Sequence, residues 1–190
     1  IGDDGLGGIH IGTETAVSET FTSFQKYAKE LKQRGVTLAA CSKNNFKNAK
    51  EGFEHPESIL KFDDFTSFKA NWNPKHQNII EIAKEINIGI DSLIFIDDNP
   101  VERDIVFSQI PSVAVPNVGA DVIHFIEHID RNGYFEPISL LADDINRNQF
   151  YEDNKKRAVE QSTFKSYDEF LVSLDMTAEI KSFSSVYLDR

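Results

Sequence analysis

The sequence contains very little cysteine. Cys41 is the only one in 190 residues, so a framework of internal disulfide bonds is excluded and a cytoplasmic location is expected. No apolar run approaches the ~20 residues of a membrane-spanning helix, and no signal-peptide pattern is present. Positive charge is also scarce, because 20 Lys and Arg face 31 Asp and Glu. This deficit argues against non-specific binding to nucleic acid or to an anionic membrane surface.

The first residues have the composition of a turn rather than of a core. Residues 1–12 hold five of the ten glycines, and Ile9 and Ile11 alternate as in a short strand, so we expect half of a β-hairpin flap. The glycines do not follow the G-x-G-x-x-G spacing of a dinucleotide-binding loop. The sequence starts at Ile1 without an initiator Met and ends just after an apolar-rich stretch, so we expect it to be part of a longer protein.

The most informative stretch is an apolar run, Leu93–Ile96, that ends on two adjacent carboxylates. Four apolar residues in a row predict a strand buried on both faces, and Asn99 can cap a following helix that carries Glu102. In parallel α/β sheets, ligands bind at the carboxyl ends of the strands, where paired acids need a neutralising cation. We therefore predict a Mg²⁺ site at Asp97 and Asp98. The alternative is an acidic turn that caps the helix.

A second apolar strand, Val36–Cys41, ends at Ser42. A hydroxyl at the carboxyl end of a strand, followed by a helix, is suited to a phosphate oxygen, although Ser42 could equally be a plain N-cap. The side chain of Cys41 points to the other face. We expect Cys41 to belong to the core rather than to act as a reactive thiol.

Lys75 begins a predicted helix that Pro74 opens and Gly89 closes. The apolar face of this helix consists of Ile79, Ile82, Ala83 and Ile86. A cation in the first turn gains nothing from the helix dipole. Lys75 is therefore either a solvated lysine or one that faces an anion.

Periodicity and turn signals predict the remaining elements. They are a helix from Ser18 to about Arg34 closed by Gly35, a short basic helix over 45–53, a short edge strand at Ile59-Leu60, a helix from Pro100 to about Gln109, a strand over Val113–Val115, a helix carrying Val122, Phe125, Ile126 and Ile129, and polar helices over Asp143–Asn154 and Tyr167–Leu174. Lys26, Lys29 and Lys32 are expected on the solvated face of the first helix.

Taken in chain order, these motifs resemble the haloacid dehalogenase (HAD) superfamily of phosphotransferases, and within it the FkbH-like branch of subfamily IIIC, which has a minimal cap. The resemblance covers about residues 1–151. The matching residues are Gly2-Asp3-Asp4-Gly5, Arg34-Gly35, Ser42-Lys43-Asn44, Asn71-Trp72, Lys75, Phe95-Ile96-Asp97-Asp98-Asn99-Pro100-Val101-Glu102-Arg103, Tyr134-Phe135-Glu136, and Asp144 with Tyr151.

The resemblance implies an α/β fold, a Rossmann-like three-layer sandwich with a mainly parallel sheet. Residues 1–138 would form the HAD-like phosphotransferase domain, with the flap at residues 1–12. Residues 139–190 would form a helical extension or an interdomain connector, of the kind that leads in many relatives to an acetyltransferase-like domain.

The resemblance also implies roles for single residues. In this family an aspartate on the first strand attacks phosphorus and forms an aspartyl phosphate. Ser42 matches the residue that hydrogen-bonds the transferring phosphoryl group, and Lys75 matches the cation that neutralises the developing charge. Asp98 matches the direct Mg²⁺ ligand, with Asp97 beside it. Supporting positions fall to Glu102, Asn44 and Asn99.

The implied reaction is Mg²⁺-dependent phosphoryl transfer on a phosphorylated small molecule. In the FkbH-like branch a glyceryl unit derived from 1,3-bisphosphoglycerate passes to an acyl carrier protein, with loss of phosphate. Because carrier proteins are acidic, the face formed by Lys43, Lys47 and Lys50 is the expected docking patch.

The sequence departs from the family in one respect, because the first motif, D-x-D-x-T, is absent. In the family this motif lies just upstream of the glycine-rich flap. We therefore expect the nucleophile upstream of Ile1, and we expect the 190 residues to be inactive alone.

The missing motif leads to a prediction about strand order. Its strand would lie between the strand before Ser42 and the strand before Asp97, so those two strands should not be hydrogen-bonded neighbours. Ile59-Leu60 should lie outside Val36–Cys41, and Val113–Val115 should lie outside Leu93–Ile96.

Two other classes of function remain open. A non-catalytic module that binds carrier proteins, or a scaffold, would lack the upstream aspartates altogether. A zinc peptidase would use His124-Phe-Ile-Glu127-His128, which matches the H-x-x-E-H motif formally but lies on an ordinary amphipathic helix.

Overall fold

The computed structural model of the chain describes residues 12, 15–119, 121–136 and 142–178, with only the backbone given at 142–148, 152 and 155. The predicted flap, apart from Gly12, and the side chain of Asp144 therefore lie outside the described residues. The regular elements are α1 (Ala16–Gln33), β1 (Ala39–Ser42), α2 (Phe46–Glu54), β2 (Ser67–Ala70), α3 (Lys75–Ile86), α4 (Pro100–Gln109), α5 (Phe125–Arg131), α6 (Ala142–Thr163) and α7 (Tyr167–Ser173). Single 3₁₀ turns cover Phe62–Asp64, Ile90–Ser92 and Val122–His124.

The strands are parallel, as the sequence predicts. β1 pairs with β2 in a register that sets Ala39 opposite Ser67 and Ser42 opposite Ala70. A separate parallel bridge joins Ile94 to Ala114. Among the described residues no ladder joins β1 to the segment around Ile94, in agreement with the predicted strand order.

Helices cover both faces of the apolar segment before the acid pair. Phe95 belongs to a core cluster with Ile79 of α3 and Val106 of α4. The next residue, Ile96, packs instead against a second cluster that includes Phe125 of α5 and residues of α1. Successive strand residues point to opposite faces, so this switch is what a strand buried on both sides requires.

Phenylalanines attach α2 to the outer strand. The ring of Phe68 in β2 lies 5.0–5.8 Å, centroid to centroid, from four other phenylalanine rings. They are Phe46, Phe53, Phe62 and Phe65. Most of these pairs are edge-to-face, the arrangement that aromatic quadrupoles favour. Five of the 15 phenylalanines thus pack together around β2.

Two predicted helix ends and one predicted strand differ from the structure. α1 begins one turn earlier than predicted, because the Thr15 side chain, not that of Ser18, accepts the capping N–H. α3 ends at Ile86 and is capped by Asn87, which takes a left-handed conformation (φ 54°) two residues before Gly89. Ile59-Leu60 is not a strand, because its backbone N–H groups both donate to the Gln25 side-chain oxygen. The strand outside β1 is β2 instead.

A buried carboxylate ties α1 to the 3₁₀ turn at residues 62–64. Asp64 is 7% exposed and accepts hydrogen bonds from Lys29 (2.5 and 2.6 Å), from Lys32 (3.1 Å) and from the backbone of Lys61 (2.9 Å). Burial raises the pKa of Asp64, but the hydrogen bonds from these lysines outweigh it and hold the pKa below its usual value. Lys29 and Lys32 are thus only partly solvated and contact Asp64, whereas Lys26 is exposed.

The compact units of the chain divide between Lys155 and Lys156, within α6. The domain boundary predicted at residue 138 stays a prediction. In the second unit, the rings of Phe164 and Tyr167 pack against Phe170. Among the helices of the described ranges, none is both long and apolar enough to cross a bilayer.

Candidate active site

Two ion pairs join chain segments that leave the carboxyl ends of the parallel strands. β1 ends at Ser42, and the loop after β2 leads to Lys75 at the start of α3. The segment paired through Ile94 runs directly into Asp97 and Asp98. The ion pairs bring the loop after β1, the start of α3 and the segment at Asp97 together although these are far apart in sequence.

The first ion pair lies between Lys75 and Asp97. The Lys75 Nζ atom is 2.5 Å from Asp97 Oδ2, and the two side chains are only 12% and 7% exposed. The other oxygen of Asp97 accepts the backbone N–H of Asn99 at 3.0 Å. Lys75 is thus not a solvated lysine but faces a buried anion. The two charges of this buried pair neutralise each other, because either charge alone would be costly to bury.

Two asparagines fix the start of α3 and hence the position of Lys75. The side-chain amides of Asn71 and Asn78 exchange two hydrogen bonds, of 3.2 and 2.8 Å. Asn71 also accepts the backbone N–H of Asn73, and Asn78 is fully buried. Trp72, in the same loop, is 69% exposed.

The second ion pair is formed by Lys43 and Glu102. The Lys43 Nζ atom lies 2.5 Å from Glu102 Oε1, which joins the loop after β1 to the first turn of α4. Glu102 is 8% exposed, yet its Oε2 atom is buried without a hydrogen-bond partner in the described chain. A buried carboxylate oxygen with no donor is costly and commonly marks a site for a ligand, water or ion.

Asp98 differs from its neighbour because it is exposed. The described residues provide its carboxylate with no hydrogen-bond or ion-pair partner. Within the same residues no group of three or more His, Cys, Asp or Glu could hold a metal. Mg²⁺ does not require such a cage, because it is commonly held by one or two carboxylates, substrate phosphates and water. The exposed, unpaired Asp98 carboxylate is an oxygen ligand of the kind that Mg²⁺ binds.

Ser42 and its neighbours lie at the end of β1. The cap of α2 is Asn45, whose side chain accepts the Lys47 N–H, so Ser42 is not the N-cap of that helix. The Ser42 hydroxyl has no hydrogen-bond partner among the described residues, and Asn44 is buried and accepts the Asn45 N–H. The structure thus presents a half-buried hydroxyl at this edge.

Cys41 is part of the core, as predicted. It packs against the cluster that contains Phe95, and its Sγ atom is 3.7 Å from the carbonyl oxygen of Lys75. Burial raises the pKa of the Cys41 thiol to about 11, although the nearby Lys75 charge acts in the opposite direction. A thiol with so high a pKa is a poor nucleophile.

Two residues that hold the site were not assigned roles from the sequence. Asn78 interrupts the apolar face of α3, and Arg103 on α4 has the spacing of the apolar Val106 and of Ile110, which caps the helix. A polar residue inside an apolar stripe was the available signal. Arg103 is 8% exposed and donates to the backbone carbonyls of Asp97 and Asp98.

Two other features are formed without the side chains of the acid pair. An open depression of about 280 Å³ beside α4 contains none of the predicted site residues; its lining is Pro100, Arg103, Asp104, Phe107, Val115 and Asn117. The ring centroids of His124 and His128 are 6.3 Å apart, and the nearest interaction of His124 with Glu127 is 3.8 Å. No third metal ligand accompanies these histidines within the described ranges.

No protein-family model matches the sequence, and no curated protein matches it. Among solved structures, the chain is similar to a crystal structure of the N-terminal part of the protein BF1531 from Bacteroides fragilis, which contains a phosphatase domain and is complexed with Mg. The identity is 44% and the TM-score is 0.69, and the match covers 72% of this chain and 37% of that chain. The chain therefore shares the α/β fold of that structure while spanning well under half of its length.

Proposed function

We propose that this chain is the phosphoryl-transfer part of a Mg²⁺-dependent phosphatase of the HAD superfamily. The observation that carries the proposal is the buried Lys75–Asp97 pair beside the exposed, unpaired Asp98 at the carboxyl edge of parallel strands. The 44% identity to a phosphatase domain complexed with Mg supports the same activity. In this reading the fold is the Rossmann-like three-layer sandwich, with residues 1–138 as the phosphotransferase domain.

The proposed roles follow the chemistry of phosphoryl transfer, in which positioning and electrostatics supply most of the catalysis. The Ser42 hydroxyl donates to an oxygen of the transferring phosphoryl group. The Lys75 ammonium neutralises charge that develops in the transition state, and Asp97 holds that ammonium in place. Glu102 supports the edge through Lys43. Asn44 and Asn99 stabilise the turns that follow the strands.

Mg²⁺ would be held by Asp98, with Asp97 beside it and the partnerless oxygen of Glu102 on the same edge. When bound, the ion supplies positive charge that neutralises phosphate oxygens. The attacking aspartate of the family is not assigned to any of the 190 residues, since the D-x-D-x-T motif does not occur among them. Experiments on activity therefore use the full-length protein.

We propose further that the protein belongs to the FkbH-like branch and passes a glyceryl unit from 1,3-bisphosphoglycerate to an acyl carrier protein. The motif resemblance supports this substrate. The expected docking patch is less basic than its sequence indicates, because Lys43, Lys47 and Lys50 each lie within 4 Å of a glutamate. Intact-mass spectrometry of a carrier protein after incubation with enzyme and substrate checks the transfer, and an unmodified carrier contradicts it.

Asp98→Asn in the full-length protein tests the phosphatase proposal. We expect phosphate release from p-nitrophenyl phosphate to fall by at least ~10²-fold, because the substitution removes the charge of the direct Mg²⁺ ligand while keeping its shape. Circular dichroism should show an unchanged fold, since Asp98 is exposed.

Asp104→Asn is the matched control. Asp104 is an exposed aspartate on α4, so the substitution makes the same chemical change outside the acid pair and should leave the rate unchanged. Near-normal turnover in Asp98→Asn would overturn the assignment of Asp98 to the metal.

A further inference from the structure

Arg103 is a buried cation whose contacts are almost entirely with the backbone. Its NH1 atom donates to the carbonyl oxygens of Asp97 (2.7 Å), Asp98 (3.1 Å) and Gly119 (2.9 Å). Its NH2 atom donates to Asn117 Oδ1 at 3.3 Å. Within the described chain no carboxylate forms an ion pair with it. The buried charge is therefore compensated by carbonyl dipoles, two of which belong to the acid pair.

A guanidinium suits these contacts, because NH1 meets the three carbonyl oxygens while NH2 donates to the Asn117 side chain. A guanidinium is planar and offers five N–H donors in a fixed fork, so it can reach two loops at once. A lysine ammonium at the same position would be a single point on a flexible stem. Burial of Arg103 to 8% exposure makes the full set of hydrogen bonds obligatory, since an unsatisfied buried charge is strongly destabilising.

The loop at residues 117–119 has a backbone conformation that accompanies its contacts with the guanidinium. Gly119 has a φ of +76°, and its N–H donates to Asn117 Oδ1, the same oxygen that accepts from Arg103. A Cβ at Gly119 would meet nothing within 4 Å, so the glycine is required by its backbone conformation rather than by space. In this conformation the Gly119 carbonyl oxygen accepts the hydrogen bond from Arg103.

We propose that Arg103 is a positioning residue for the acid pair. Its guanidinium holds the backbone of Asp97 and Asp98 against the loop at residues 117–119, and so fixes the Asp98 carboxylate for a divalent cation. Only the expected effect of Arg103 on turnover rests on the proposed function. It assigns to Arg103 the part that outer-shell groups play at metal sites, where they orient the direct ligands.

Arg103→Lys in the full-length protein tests the proposal, because it keeps the charge and removes the fork. Mg²⁺ is titrated calorimetrically into both proteins. We expect the Mg²⁺ dissociation constant to rise roughly 10- to 100-fold, the range for lost outer-shell contacts. We expect kcat for p-nitrophenyl phosphate at fixed Mg²⁺ to fall with it, while KM changes by less than about twofold.

Gly119→Ala and Asn117→Ala weaken the same contacts from the other loop without altering α4. Both should raise the Mg²⁺ dissociation constant a few-fold, in the same direction as Arg103→Lys. They carry the test if Arg103→Lys does not fold. Arg131→Lys is the control, because Arg131 pairs with Glu127 on the exposed surface of α5 and should leave both measurements unchanged.

The outcomes separate this inference from the proposed function. Wild-type Mg²⁺ affinity in folded Arg103→Lys, Gly119→Ala and Asn117→Ala would overturn the positioning role, even if the wild type is an active phosphatase. A wild type that binds Mg²⁺ but releases no phosphate would overturn the function, while weaker Mg²⁺ binding by the variants would still support Arg103. A wild type that binds no Mg²⁺ would overturn both.

Discussion

Two lysine–carboxylate clusters in this chain have similar composition but differ in how completely they are satisfied. Around Asp64, two lysines and a backbone N–H supply every contact of one buried carboxylate. At the carboxyl edge of the strands, Lys75 and Lys43 pair with Asp97 and Glu102, and Asp98 has no cation of its own. Among lysines and carboxylates, the first cluster has two cations for one anion and the second has two cations for three anions, with Arg103 bound to the backbone carbonyls of Asp97 and Asp98 rather than to a carboxylate.

The difference indicates what each cluster can do. A closed network such as that of Asp64 joins two elements and leaves nothing for a ligand to satisfy. The edge cluster keeps a buried oxygen of Glu102 without a donor and an exposed carboxylate at Asp98. These groups can still accept a ligand, whereas Asp64 cannot, which is why the sequence-adjacent acids are the candidate site. Substitutions in the two clusters should therefore affect different properties.

Lys75→Ala in the full-length protein should have the largest effect. We expect kcat for phosphate release to fall ~10²- to 10³-fold, because the lost charge matters most in the transition state, with a smaller change in KM. Stability should also fall, since Asp97 is left buried and unpaired. Steady-state kinetics, measured well below the unfolding temperature, separate the two effects.

Lys84→Ala on the same helix is the control for Lys75→Ala. Lys84 is exposed in the last turn of α3, and its removal should change neither constant. A loss confined to KM in Lys75→Ala would instead indicate that Lys75 binds ground state and transition state equally, and the catalytic role would be wrong.

Asp64→Asn should affect stability without affecting catalysis. We expect the free energy of unfolding to fall by ~2–3 kcal/mol in urea titration, below the value for fully buried pairs because Lys29 and Lys32 are 35% and 21% exposed. The rate of phosphate release should not change. The exposed neighbour gives the control, since Asp63→Asn should cost less than ~0.5 kcal/mol.

The effect of Asp64→Asn should also depend on pH. Because the folded-state pKa of Asp64 is lowered, its contribution is fully present above the unfolded-state value of about 3.9 and is lost as the pH falls through the lower folded-state pKa. The stability difference between wild type and variant should therefore be constant near neutral pH and shrink below about pH 4. A difference that does not shrink in acid would exclude an ionised Asp64 as its source.

Tyr27→Phe should have the smallest effect. It measures how much a single hydrogen bond near the surface contributes to stability. The Tyr27 hydroxyl donates to Asp130 Oδ1 at 2.6 Å, joining α1 to α5 at an exposed position. Its loss should cost ~0.5–1.5 kcal/mol in urea titration. Burial, with the hydrogen bond to Asp130, raises the pKa of Tyr27, so the contribution is present below about pH 10 and is lost at higher pH. A cost equal to that of Asp64→Asn would remove the distinction between network and single contact.

Local signals in the sequence predicted much of the fold. The cap at Asn99 and the helix from Pro100 to Gln109 follow from neighbouring residues, and short apolar runs mark the two segments that meet at Ile94 and Ala114. They could be predicted because cap chemistry and buried apolar runs act over a few residues. The error at Ile59-Leu60 has the opposite cause, since a side chain some 35 positions away, Gln25, binds that backbone.

From the sequence, the site could be predicted only as a set of residues at the ends of strands. Asp97 and Asp98 stood out because they follow a buried strand, but no local pattern identifies Lys29 and Lys32 as the partners of Asp64. Which residues form ion pairs depends on how the helices and strands pack, and no short sequence pattern specifies that packing. The contacts of Arg103 were missed for the same reason, although its place in an apolar stripe was visible.

The exposed Trp72 has an optical consequence. It is the only tryptophan in the chain, and it stands three residues before Lys75 in a loop anchored by Asn71. Because its indole is already mostly exposed, unfolding should change its surroundings little. The Trp72 emission of this chain should therefore report on changes in the loop before Lys75 rather than on the integrity of the core.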